Sequence, residues 1–214
     1  MRDAVIFDMD GLLLDTERLS LKAYQETCAN FDIAYEETFY FSLIGRSLKQ
    51  AEQILINTIP NFPTDPFMTF WNNRYHEEAL EKPVPLKAGV LSFLTLLKDR
   101  NIPCAVATST EFDKATRKLS NAGLLDFFQE MAAGDQVEQS KPHPEIYRLA
   151  ASRLGISPAQ CLALEDSDNG VRAAHAANML VYQIPDLVPP SEDVKRLGHF
   201  IVPTLQHVEK LFAS

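Results

Sequence analysis

Asp8 and Asp10 stand two residues apart in Phe7-Asp8-Met9-Asp10-Gly11, directly after a short apolar run. In extended backbone such residues point the same way, so both carboxylates can face one site. Adjacent carboxylates repel unless a cation or a shared proton relieves them. That arrangement suits one acid that binds metal and attacks while the other carries a proton. Gly11 then permits a tight departure of the chain or a close backbone approach to a ligand. Further along, Thr108-Ser109-Thr110 precedes a helical pattern, where hydroxyls and free N–H groups make an anion site. Lys141 lies in the stiff, proline-flanked loop Ser140-Lys141-Pro142-His143-Pro144, a compact charge suited to a phosphoryl oxygen or a carboxylate. Glu165 and Asp166 open Glu165-Asp166-Ser167-Asp168-Asn169-Gly170. Magnesium chooses such oxygens, often taking only one or two carboxylates with water and substrate phosphate; Asp168 is read instead as a cap of the next helix. Each stretch alone has a plainer reading, as turn acids, a helix cap or a solvated lysine. At four successive element ends, together, they point to a phosphate-and-magnesium site.

The elements that must carry these residues are legible as alternating text. Ala4–Phe7, Cys104–Ala107, Cys161–Leu164 and Leu180–Ile184 are short apolar runs that read as strands covered on both faces. Between them, helical spacing occurs over 88–100. A candidate capping box, Thr110 to Asp113, opens a helix ending at Gly123, and Pro144 begins one ending near Gly155. This alternation predicts an α/β fold with a doubly wound, mostly parallel, Rossmann-like sheet. Residues 16–84 break the rhythm. They show helical spacings (Leu21 to Phe31, Leu48 to Ile56, Phe67 to Leu80) and hold 11 of the 20 aromatic residues. They read as an inserted helical domain, with Pro83-Val84-Pro85 as the hinge back to a body formed by 1–15 and 85–214.

The chain of 214 residues has 46% hydrophobic and 23% charged residues, enough apolar content for a proper core. A net charge of −9, with no basic run, argues against a nucleic-acid or anionic-membrane surface. Cys28, Cys104 and Cys161 show no ligand spacing and read as free thiols of a reducing cytoplasm. No long apolar segment suggests export or a membrane span.

The set Asp8-x-Asp10-Gly11, Thr108-Ser109, Lys141-Pro142 and Glu165-Asp166-Ser167-x-x-Gly170 resembles the haloacid dehalogenase superfamily. More narrowly, it resembles the branch with a helical cap after the first motif, which includes β-phosphoglucomutase and sugar-phosphate phosphatases. The resemblance implies that Asp8 is the nucleophile forming an aspartyl-phosphate. It implies that Asp10 protonates the leaving oxygen, then activates water, while its backbone carbonyl ligates Mg2+. Thr108 and the N–H of Ser109 would hold phosphoryl oxygens, and Lys141 would neutralise charge between Asp8 and the phosphate. Asp166, with Glu165 directly or through water, would complete the metal site.

Within that family, an aspartate two residues after the nucleophile favours phosphate-ester chemistry over dehalogenation. The β-phosphoglucomutases carry a histidine at the place of Ser20, so its absence counts against a mutase. The expectation is a magnesium-dependent phosphatase acting on a small phosphorylated sugar, sugar alcohol or nucleoside monophosphate, as a monomer or weak homodimer. A hexose-phosphate mutase is the alternative, and a non-catalytic phosphate-binding regulator a third reading. Arg46, with Arg18 and Lys49, is a candidate for substrate contacts beyond the phosphate. Tyr24, Phe41 and Trp71 are expected in the core of the cap.

Overall fold

Side-chain alternation along each strand dictates a three-layered body. In β1 (Ala4–Phe7), Ala4 and Ile6 enter one apolar cluster, and Val5 and Phe7 enter another on the opposite face. β2 (Cys104–Ala107) and β4 (Cys161–Glu165) divide in the same way, with alanines on one face and larger side chains on the other. Because both faces are apolar, helices must cover both. On the alanine face lie α7 (Glu145–Leu154) and α8 (Asp168–Ala176), whose own Ala150, Ala151, Ala173 and Ala174 are fully buried. On the other lie α5 (Val90–Asp99), α6 (Phe112–Asn121) and α10 (Leu205–Ala213).

The computed structural model describes residues 2–44 and 48–213. With β3 at Glu130–Ala132, β5 at Leu180–Gln183 and β6 at Phe200–Ile201, the described residues form a sheet of six strands in the order β3-β2-β1-β4-β5-β6, each neighbouring pair parallel. Two strands escape the hydrophobic reading. β3 (Glu130–Ala132) is three residues long and begins on a charge, while β6 (Phe200–Ile201) is an exposed edge of two residues with α9 (Glu192–Lys195) before it. Neither is long enough to show a period. In this order the chain reverses its direction of winding between β1 and β4, and ligands of open α/β sheets bind at such a switch point.

Among the described residues between β1 and α5 lie four helices: α1 (Thr16–Asn30), α2 (Glu37–Phe41), α3 (Leu48–Thr58) and α4 (Thr64–Ala79). The five-residue α2 was too short to be anticipated. These helices enclose an apolar cluster of their own around Tyr24, Tyr40, Leu55, Phe67 and Trp71. Tyr24 packs 5.1 Å from the ring of Tyr40 and 5.1 Å from that of Trp71, the latter edge-on, as aromatic quadrupoles prefer. Phe41 is only partly buried against this cluster. The chain leaves and returns side by side, because Asp15 N donates to Pro85 O at 2.8 Å and Lys87 N to Leu13 O at 3.0 Å. No helix among the described residues is long and apolar enough to cross a membrane.

Candidate active site

Strand register assembles the site. Phe7 pairs with Val106 of β2 and Leu164 of β4, so the residues that follow these paired positions (Asp8, Ala107 and Thr108, Glu165) meet at the switch point. Asp8 N donates to Leu164 O at 2.9 Å, which fixes Asp8 beside β4. Lys141, on the loop before α7, donates from Nζ to Asp8 Oδ1 and to Glu165 Oε1 at 2.6 Å each, and to Ala107 O at 3.0 Å. All three ammonium donors are thereby used, and the lysine stays charged despite burial because two carboxylates face it.

Glu165 is fully buried, and five donors meet its carboxylate. Lys141 and the Tyr147 hydroxyl, at 2.6 Å, reach Oε1, whereas the N–H groups of Asp166 and Ser167 and the Ser167 hydroxyl reach Oε2. The Glu165 oxygens are therefore spent on holding the chain itself. The carboxylates of Asp8, Glu165 and Asp166 each place an oxygen within 4.8 Å of the others. Burial, only partly opposed by Lys141 and reinforced by Glu165, pushes the Asp8 carboxyl up to about 8. Burial and the charges of Asp8 and Glu165 raise Asp166 well above the carboxylate range. Two buried carboxylates and a partly buried third against one lysine leave an excess of negative charge that a hard divalent cation would balance, and the oxygens of Asp8 and Asp166 fit such an ion.

Asp10 occupies a separate electrostatic environment. Its Oδ1 accepts from Lys118 Nζ at 2.7 Å and its Oδ2 from the Thr110 hydroxyl at 2.7 Å. Burial alone would raise its pKa, but the charge and hydrogen bond of Lys118, with Thr110 and Thr16, outweigh this and hold it below the ordinary carboxylate value. The two acids therefore titrate apart, the usual signature of divided acid–base roles.

Close backbone approaches hold these loops. Gly11 has a φ of 84°, and a Cβ there would lie 2.3 Å from Asp166 Oδ2. At Gly134 it would lie 2.1 Å from Ser109 O, beside the bond from Gly134 N to Thr110 O at 2.9 Å.

Several local expectations need correction. The capping box from Thr110 to Asp113 does not form: α6 starts after Glu111 without a side-chain cap, because the Thr110 hydroxyl is committed to Asp10. Asp168 does not cap α8 either. Ser167 does, accepting from Gly170 N at 3.1 Å, and Asp168 accepts from Ser191 N instead. Arg18 pairs with Asp15 at 2.7 Å and Asp186 at 2.8 Å, Lys49 is exposed on α3, and Arg46 lies outside the described residues. Thr108 is buried with its hydroxyl accepting from Thr110 N at 3.1 Å, while Ser109 is exposed.

Lys118 and Tyr147 were missed. Lys118 sits on the buried stripe of α6 with Ala115 and Leu119, and Tyr147 on that of α7 with Ile146 and Ala151. A charge or hydroxyl placed on an apolar stripe was the available signal.

A doubly wound sheet with a carboxylate nucleophile candidate at its switch point, a buried lysine across it and a helical insert after β1 is the architecture of a hydrolase built on a parallel α/β sheet. The chain belongs to the haloacid dehalogenase-like hydrolase family, whose profile matches residues 5–184. It is 35% identical over 180 residues to the phosphorylated carbohydrates phosphatase of Thermotoga maritima, covering 83% of this chain and 82% of that one. It is 32% identical over 183 residues to the fructose-1-phosphate phosphatase YqaB of Escherichia coli, covering 82% and 92%. Among solved structures, CbbY from Rhodobacter sphaeroides in complex with phosphate superposes with a TM-score of 0.79 at 28% identity, covering 97% and 96%.

Proposed function

We propose that the protein is a magnesium-dependent phosphatase that hydrolyses a small phosphorylated metabolite through an aspartyl-phosphate on Asp8. The observation that carries this reading is the pair of separately held acids, Asp8 against Lys141 and Asp10 against Lys118. In the first step Asp8 bonds to phosphorus, the ester P–O bond breaks, and the leaving oxygen takes the Asp10 proton. In the second, water attacks phosphorus and gives its proton to the Asp10 carboxylate as the Asp8–phosphorus bond breaks. Without substrate, Lys118 favours the carboxylate form of Asp10 that the second step needs. The negative phosphoryl group arriving beside it opposes Lys118 and favours the protonated form that the first step needs.

Asp8, Asp166 and the main-chain carbonyl of Asp10 would hold Mg2+, which when bound would supply positive charge to the site and favour the carboxylate form of Asp8. Glu165 holds Lys141 and the loop after β4, and the Thr108 hydroxyl with the Ser109 N–H binds phosphoryl oxygens. Residues 16–84 act as the cap that excludes water and reads the rest of the substrate. The relatives named for phosphorylated carbohydrates and fructose 1-phosphate make sugar phosphates the first class to try, with nucleoside monophosphates next. Ser20 at the place of the mutase histidine favours hydrolysis over phosphoryl return. The unpaired, buried cysteines fit a reducing cytoplasm.

The test is phosphate release from a panel of sugar phosphates, nucleotides and p-nitrophenyl phosphate, with magnesium or with EDTA, beside Asp8→Asn. Release that needs both magnesium and Asp8 is expected. Full release by the folded variant would remove Asp8 as nucleophile. No release from any ester, followed by turnover of a hexose 1-phosphate primed with a bisphosphate, would transfer the site to the mutase class.

A further inference from the structure

The lysine that holds Asp10 is itself held from the helical insert. Lys118 Nζ donates to the Tyr75 hydroxyl at 2.9 Å and lies 5.1 Å from the centre of its ring, while its side chain is 3% exposed. Tyr75 stands on α4. Among the described residues it is the one partly buried side chain packed against both the insert's apolar cluster and the sheet's. Nearby, Asn121 Nδ2 of α6 donates to Leu80 O, just past α4, at 2.9 Å. The aromatic ring therefore straddles the seam between the two cores, with its hydroxyl aimed at the lysine of the candidate acid–base pair.

A lysine side chain has four rotatable stem bonds, so a single carboxylate partner does not fix where its ammonium sits. Two acceptors on different elements do. With Tyr75 in place, the ammonium is pinned against Asp10 Oδ1, while Thr110 pins Oδ2. Withdrawal of α4 would remove one acceptor from a buried ammonium and admit water. The lysine would then leave its fixed position and Asp10 would lose one of its two anchors.

We propose that Tyr75 is a positioning residue for Asp10, acting through Lys118, so that the acid–base carboxylate is aligned only while the helical insert packs against the sheet. This rests on the phosphatase reading and adds to it a link from cap closure to proton transfer. It also gives a role to a buried lysine whose partners are Asp10 and Tyr75 rather than Asp8.

Esters that differ in their need for a proton test the link. An alkyl ester such as the best hexose phosphate of the panel expels a basic alkoxide and needs protonation, whereas p-nitrophenyl phosphate expels a stable phenolate. Tyr75→Phe keeps the ring and removes the hydroxyl. Its kcat/KM for the hexose phosphate is expected to fall about tenfold, with less than about a twofold change for p-nitrophenyl phosphate. Lys118→Gln should show the same ester dependence, and Tyr75→Phe added to it should cost nothing more. Equal losses on both esters, unchanged rates on both, or additive effects in the double variant would each overturn the proposal. A wild-type protein inert on both esters would instead strike down the phosphatase reading and this inference with it.

Discussion

The backbone of Gly170 passes so close to Glu165 that a Cβ at Gly170 would lie 1.8 Å from Glu165 Oε1. Gly170 sits in the first turn of α8, where its N–H donates to Ser167 Oγ at 3.1 Å, and the same hydroxyl donates to Glu165 Oε2 at 3.1 Å. The helix start and the buried carboxylate are thus built as one unit.

Gly170→Ala should destabilise the protein. On helix propensity alone, glycine to alanine at a helical position stabilises by up to about 1 kcal/mol. Here the methyl group displaces a buried, five-donor carboxylate, and overpacking of that kind costs roughly 1–3 kcal/mol. Urea denaturation decides the sign; a stabilised variant would show that Glu165 moves freely.

Lys141→Met leaves Asp8 and Glu165 buried without their shared cation. Removing one partner of a buried ionic cluster costs roughly 3–5 kcal/mol. In EDTA the variant should unfold at markedly lower urea, with phosphate release at background. A loss below about 1 kcal/mol would mean that the acids take up protons or water instead.

Asp166→Asn keeps the side-chain shape and removes the charge at the acid cluster. The magnesium concentration for half-maximal activity should rise by about 100-fold, since even residues behind a metal ligand cost 10–100-fold. An unchanged magnesium titration of the active variant would end the ligand assignment.

Glu17 gives the metal-free protein a pH dependence of defined sign. Burial first, then the charges of Asp10 and Asp186, raise it from the ordinary 4.5 to about 7. Above 4.5 the unfolded chain releases a proton that the folded chain retains. Glu17 therefore erodes stability as pH rises towards 7, by roughly 3 kcal/mol in all. In EDTA, the stability advantage of Glu17→Gln over wild type should grow across this window and level off above it. A pH-independent difference would show that Glu17 titrates normally.

The ends of β1, β2 and β4, with their acids and hydroxyls, were legible because buried parallel strands are written as unbroken apolar runs, whereas Lys141 was legible from its proline-flanked loop before a helical pattern. Residues just beyond such runs stand where ligands bind. The helices α1, α3 and α4 were legible from spacing and aromatic density. β3, β6 and α2 were not, because two to five residues carry no measurable period. Thr110 followed by Asp113 reads locally as a capping box, and only the approach of Asp10 in space diverted its hydroxyl.

The sequence by itself determined the order of the longer elements, the apolar faces and the identity of the polar groups at their ends, since these depend on residue type and local period. Tertiary structure alone decided the pairing of charges: Lys141 with Asp8 and Glu165, and Lys118 with Asp10 and Tyr75. Those partners are separated by 24 to 133 residues along the chain. Coulomb interactions depend on distance in space and on burial, and neither is written in local sequence.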